Sequence, residues 1–314
     1  MAGVFFTIFQ MLLMLALAPL LAGIIKKIKA FFQNRRGPRI CQPYYDLYKY
    51  LQKETVVSEH TSWIFTATPY LYFGAMLVIA MLVPAVTVAG PLAFGGDIIL
   101  IVYLLALARF FLALAGLDAG SAFGGMASSR EMALSSVVEP AMMLPLFTVS
   151  LAAGTTNLSQ IVTEVAKTGP AVFTPSHFIS FLALFVVAIA ETGRIPVDNP
   201  DTHLELTMIH EGMLLEYSGK PLALLTLGAY LKQVLIFTFL ANIFFPWGIA
   251  FSLNAASVFG GILFFLGKLV FLGIVMAVIE TSMSKMRLFK VPELLFGAFL
   301  LGLLGLICDL LLRG

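Results

Sequence analysis

The chain has 314 residues, of which 60% are hydrophobic and only 11% charged, with a net charge of +2 and a mean hydropathy of +0.98. Soluble domains carry about 25% charged residues, so this composition excludes an ordinary soluble enzyme and defines an integral membrane protein, with no nucleic-acid partner expected. A hydrocarbon core about 30 Å thick needs about 20 apolar residues per helix. The sequence therefore predicts an all-α bundle of about eight transmembrane helices in a single domain over 1–314, because no ten-residue alternation of a membrane barrel is present.

The predicted spans lie at approximately 3–25, 67–89, 97–116, 134–154, 176–192, 222–245, 258–281 and 292–312. The first is not read as a cleaved signal, since Lys26, Lys27 and Lys29 follow the apolar run and nothing basic precedes it. The N-terminus is then expected outside. Loops 26–66, 117–133, 193–221 and 282–291 fall on the cytoplasmic side and hold nearly all the loop lysines and arginines, leaving Lys167 and Arg313 opposite. This obeys the positive-inside rule, and an even number of spans places the C-terminus outside too.

The loop 26–66 contains NRRGPRICQPYYDLYKYLQKE, in which Gly37-Pro38 breaks any helix and Tyr44, Leu47, Tyr48 and Leu51 recur at helical spacing. A short amphipathic cytoplasmic helix is predicted there. Arg35, Arg36 and Arg39 either set topology or, with Tyr44 and Tyr48, form a docking surface. The Gly/Ala/Ser-rich stretch 117–133, with Asp118 and the Arg130–Glu131 pair, fits no nucleotide fingerprint and suits close packing of chains.

The segment ETGRIPVDNPDTHLELTMIHEGMLLEY gathers Glu191, Arg194, Asp198, Asp201, Glu205, Glu211 and Glu216, with His203 and His210, at the end of the fifth span. Asn199 and Pro200 suit the start of a helix running to Ser218. Its Glu205 and Glu216 would share one face and its histidines the other. Two turns, about 10.5 Å, separate the histidines, too far for one metal. The bland reading is a solvated interfacial helix. Glu191 and Arg194 are spaced for an i, i+3 ion pair. Within the spans, Arg109, Glu139, Lys232, Lys268, Glu280 and Asp309 each carry an insertion cost of about 2.5–3.5 kcal/mol near a helix centre. Mutual pairing or a proton relay could offset it. The two cysteines, Cys41 and Cys308, are too few and too distant for an iron–sulfur cluster.

The RRGP loop, the SSRE stretch leading to Glu139-Pro140, and ETGRIPVD followed by an acidic segment ending in EYSG together resemble the hinge subunit of respiratory complex I and its hydrogenase relatives. The resemblance covers the whole chain. Where the complex I pattern has Phe-Asp and then alternating acids, this chain has Val197-Asp198, Asp201, His203 and Glu205, a version similar to the membrane subunits of group 4 [NiFe] hydrogenases. The resemblance implies an eight-helix bundle without a redox cofactor of its own, in the cytoplasmic or inner membrane. It further implies hydrogenase-like large and small subunits, an iron–sulfur subunit and antiporter-like membrane subunits as partners. Those partners hold the [4Fe-4S] clusters and any [NiFe] centre. The implied ion path comprises Glu139, Glu191, Arg194, Asp198, Asp201, Glu205, Glu211 and Glu216. A quinone-site subunit and a stand-alone transporter are the alternatives, and the second should show related halves, which this sequence lacks.

Overall fold

The computed structural model describes residues 2–88, 95–169, 174–199, 208–251 and 254–313. Those residues form ten α-helices: α1 Ala2–Phe32, α2 Gln42–Gln52, α3 Trp63–Leu82, α4 Ile98–Asp118, α5 Ala122–Ala153, α6 Leu158–Thr168, α7 Pro175–Glu191, α8 Gly219–Phe244, α9 Ala255–Ser282 and α10 Val291–Arg313. Seven are long and apolar enough to cross a membrane, and α7 is a shorter apolar helix of 17 residues. With α7 they match the eight expected spans. The starts are chemically marked: Ser62, Asp97, Ser121, Asn157 and Thr174 each accept a backbone N–H in the first turn of the following helix.

Helix α10 packs on α5 and α7, α3 lies between α4 and α8, and α1 contacts α8 and α9. The connections α1–α2–α3, α4–α5, α7–α8 and α9–α10 gather at one end of the bundle. At the other end, side chains pin the start of the α3–α4 connection. Gln10 Oε1 of α1 accepts the amides of Ala85, Val86 and Thr87, while Asn242 of α8 donates to the carbonyls of Pro84 and Ala85.

Several expectations are corrected. Residues 117–133 are not a loop, because α4 continues to Asp118 and α5 begins at Ala122. The small residues act as expected in packing, however: a Cβ on Gly124 would lie 2.6 Å from the Gly116 carbonyl oxygen. Asp118 is spent on the start of α3, accepting the amides of Ser62 and Phe65 at 2.8 and 3.2 Å. Helix α1 extends past its predicted end, so Lys26, Lys27 and Lys29 are helical. Helix α6 is an addition to the expected elements. It is an 11-residue amphipathic helix with buried Ile161, Val162 and Val165, too short to register as a span.

The helix expected from Pro200 to Ser218 is absent from its described part, where only the 3-10 turn Glu211–Leu214 occurs. Asp198 explains the irregular path. Its Oδ2 accepts the amides of both Ile209 and His210 at 3.2 Å, folding the segment back on itself, while Gly212 seats against Ala127 of α5. Asp201, His203 and Glu205 lie outside the described residues.

Candidate functional site

Helices α4, α5, α7 and α8 bring their charges together just inside the end where α7 stops. Arg109 of α4 is buried, and its guanidinium meets three carboxylates: Glu131 at 3.4 Å and Glu139 at 3.3 Å, both on α5, and Glu191 at the end of α7. Lys232 of α8 contacts the second oxygen of Glu191 at 2.6 Å. The planar guanidinium suits this role because its five donors fan out in one plane. An isolated charge would be prohibitively costly here. These five groups compensate one another, so pairing accounts for most of the intramembrane charge.

A second cluster forms where α1, α8 and α9 meet. Lys29 of α1 and Arg194 share Glu280 of α9, at 2.7 and 3.4 Å, and Arg194 donates to Gln233 of α8 at 2.7 Å. The expected Glu191–Arg194 pair is therefore not formed. Gly193, with φ of 59°, turns the chain as α7 ends and sends Arg194 toward α8 and α9, away from its neighbour on α7.

The segment after α7 links the clusters to the surface. Asp198 accepts Lys285 Nζ at 2.8 Å, and His210 stands with Nε2 3.4 Å from Glu131 and Nδ1 3.9 Å from Asp198. Burial works to raise the Asp198 carboxyl, but His210 and Lys285 outweigh it and hold it well below the usual carboxylate range. Burial pushes the His210 imidazole down, yet Glu131 and Asp198 prevail and raise it above the ordinary histidine value. Glu211 is raised by burial, which its charged neighbours only partly offset. A cavity of about 160 Å³ lies between the clusters, lined among others by Tyr72, Glu191, Arg194, His210, Glu211 and Lys232.

The structure thus assembles Glu139, Glu191, Arg194, Asp198, Glu211, Arg109, Lys232 and Glu280 in one region. It leaves three described candidates out, one of them Asp309 near the opposite end of α7. Glu216 is exposed, and Lys268 of α9 donates to Asn242 at 3.2 Å on the far side of α8. Arg35, Arg36, Arg39, Tyr44 and Tyr48 all lie on the exposed surface around α2, where only Pro43 and Leu47 are buried. Sequence reasoning missed Glu131, His210 and Lys29 as members. A signal for Glu131 exists: it stands eight residues before Glu139, about 80° away around a helix axis, but the composition of that stretch reads as a loop. Among the described residues no three His, Cys, Asp or Glu side chains form a metal-binding group.

This architecture defines a multi-pass helical membrane protein with a buried ion-pair network at one end. The chain belongs to the NADH dehydrogenase family, whose model matches residues 5–309. It is 36% identical to formate hydrogenlyase subunit 4 of Escherichia coli (strain K12) over 95% of both chains. It is 35% identical to hydrogenase-4 component C of the same organism, covering 96% of this chain and 94% of that one. NADH-quinone oxidoreductase subunit 8 of Rhodothermus marinus is 32% identical over 74% of this chain and 70% of its own. A chain in the structure of the membrane-bound sulfane sulfur reductase, an archaeal respiratory membrane complex, has the same fold, with a TM-score of 0.85, 21% identity and coverage of 98% of this chain and 99% of that one.

Proposed function

We propose that this subunit belongs to the membrane arm of a hydrogenase-type, complex I-related assembly, where it holds the peripheral electron-transfer arm and couples redox chemistry to ion movement. The observation that carries this reading is the network in which buried Arg109, Glu191 and Lys232 pair with half-buried Glu139, just inside the bundle end that carries α2 and the turn Glu211–Leu214. The formate hydrogenlyase and hydrogenase-4 relatives are 36% and 35% identical over nearly the full chain, whereas a quinone oxidoreductase subunit matched over 93% of it is 27% identical, which favours the hydrogenase-type assembly over quinone reduction.

In this reading the partners are hydrogenase-like large and small subunits, an iron–sulfur subunit and antiporter-like membrane subunits. Their [4Fe-4S] clusters and any [NiFe] centre carry the electrons, and this chain holds no cofactor. The protein sits in the cytoplasmic or inner membrane with both termini outside. Exposed Arg35, Arg36, Arg39 and Tyr48, with Tyr44 beside them, face the docked arm. A charge change in that arm acts first on the polar cavity and His210, and then on the Glu191 pairings. Asp201 and Glu205 extend the acidic path in the same proposal.

The test is proton uptake per turnover in vesicles holding the complex with Glu191→Gln or Glu139→Gln, using Glu216→Gln as the control. Assembly with reduced uptake is expected for the first two and normal uptake for the third, whose side chain is exposed. Normal uptake in all three would remove the acidic path and leave a scaffold.

A further inference from the structure

Helix α7 has polar groups at both ends, and the end opposite Glu191 belongs to none of the clusters above. There α5, α6, α7 and α10 enclose a cavity of about 160 Å³ lined by Thr148, Glu164, Thr174, Ser176, His177 and Asp309 among others. Asp309 is a buried carboxylate in the long apolar stretch of α10, and His177 is buried on the same cavity wall. Ser176 Oγ reaches Asp309 Oδ1 at 3.5 Å and Thr174 Oγ1 at 2.9 Å, forming a line of hydroxyls from the start of α7 to the acid.

A route to the surface adjoins the cavity. A polar surface groove along α6, lined by Thr155, Asn157, Gln160, Thr163 and Lys167, shares Ala153 and Glu164 with the cavity, and Lys167 pairs with Glu164 at 2.7 Å. Toward Glu191 the path ends in apolar side chains. The void beneath that residue measures only about 20 Å³ and is walled by Val102, Leu105, Met142, Leu146, Leu184 and Phe239 among others. Residues 177 and 191 are about 21 Å apart along the helix, so this packing isolates one polar end from the other.

We propose that the cavity is a second proton-binding site of this subunit, in which Asp309 takes a proton arriving along the α6 groove and the Thr174–Ser176 hydroxyls, and returns it to the same face. The carboxylate becomes a carboxyl on uptake and reverts on release, with no redox change. Among the described residues that line the cavity and the groove, the other charged or titratable side chains are His177 on α7 and Glu164 with Lys167 on α6. Among the residues lining the cavity, helix α5 contributes only the Thr148 hydroxyl as a polar side chain. A buried carboxylate facing a cavity with room for several waters is the arrangement in which an intramembrane acid exchanges protons.

The experiment uses the chain in its native assembly and records infrared difference spectra between low and high pH. A protonated-carboxyl band present in the wild type should be lost in Asp309→Asn. If the same band persists in that variant, the proposal is overturned. If sodium at fixed pH removes the wild-type band as a rise in pH does, the site takes a metal cation and the proton assignment is also overturned. Should Asp309→Asn fail to assemble, His177→Gln and Ser176→Ala replace it. Each is expected to shift the band's titration midpoint, and an unmoved midpoint in both refutes the proposal. No readout here depends on redox coupling, so failure of this site leaves the reading of the Glu191 network intact.

Discussion

The two buried clusters at the end of the bundle use the same residue types to opposite effect. Around Arg109, two cations face three carboxylates. Around Glu280, two cations share one carboxylate. The first cluster is therefore one negative charge in excess and lies against His210, a group that can supply a positive charge by taking a proton. The second is one positive charge in excess and has no histidine paired with it. An acid-rich cluster beside an imidazole that its neighbours raise can respond to a proton, whereas the cation-rich cluster has no imidazole against it. Function should concentrate in the first and positioning in the second.

The largest expected effect comes from breaking the acid-rich cluster at its centre. Arg109→Met would leave Glu131 and Glu139 without this cation and Glu191 with Lys232 alone. Removing one partner of a buried pair costs about 3–5 kcal/mol, and here three carboxylates each lose one cation. Failure to accumulate in membranes is expected, measured by immunodetection of the subunit. Wild-type levels would mean that water already screens these acids, and the contrast between the clusters would weaken.

A smaller loss is expected from Glu280→Gln. Lys29 and Arg194 would lose their shared anion, but Arg194 keeps Gln233 and the new amide oxygen still accepts a hydrogen bond. A cost of about 3–5 kcal/mol is expected, below that of Arg109→Met because one carboxylate is lost where three are stranded, and seen as a lower melting temperature of the purified complex with unchanged proton uptake per turnover. Reduced uptake at unchanged stability would place Glu280 among the responsive groups and erase the distinction between the clusters.

Much of this is legible in the sequence because hydropathy and span length are dictated by the bilayer, and charges inside spans stand out against an apolar background. Arg109, Glu139, Glu191 and Lys232 emerge that way. The partners chosen by each charge are not legible. Spacing along one helix suggests Glu191 with Arg194, but both are satisfied by residues far away in sequence, Lys232 and Arg109 for one and Glu280 for the other. The helix predicted over 200–218 fails for a related reason: the amides of Ile209 and His210 are held by Asp198, a side chain that periodicity does not weigh. Glu131 is hidden by composition, since Gly, Ala and Ser read as a loop where they serve a close contact between α4 and α5.

The smallest effect expected is a change in pH dependence through His210, the group that distinguishes the responsive cluster. Its imidazole is raised above the ordinary value of about 6.5 by Glu131 and Asp198, despite burial and the opposing charge of Lys232. A proton bound more tightly in the folded state stabilises the fold fully below the unfolded value, and that contribution is lost as pH rises through the folded one. Wild-type complex should therefore lose thermal stability between mildly acidic and alkaline pH by more than His210→Gln, which carries no titrating group at that position. The glutamine keeps a polar side chain beside Glu131, so assembly at neutral pH is expected to survive. Melting temperatures of both forms across that range measure the difference. Parallel curves would mean that the imidazole does not change charge on folding, and the acid-rich cluster would then be as fixed as its cation-rich neighbour.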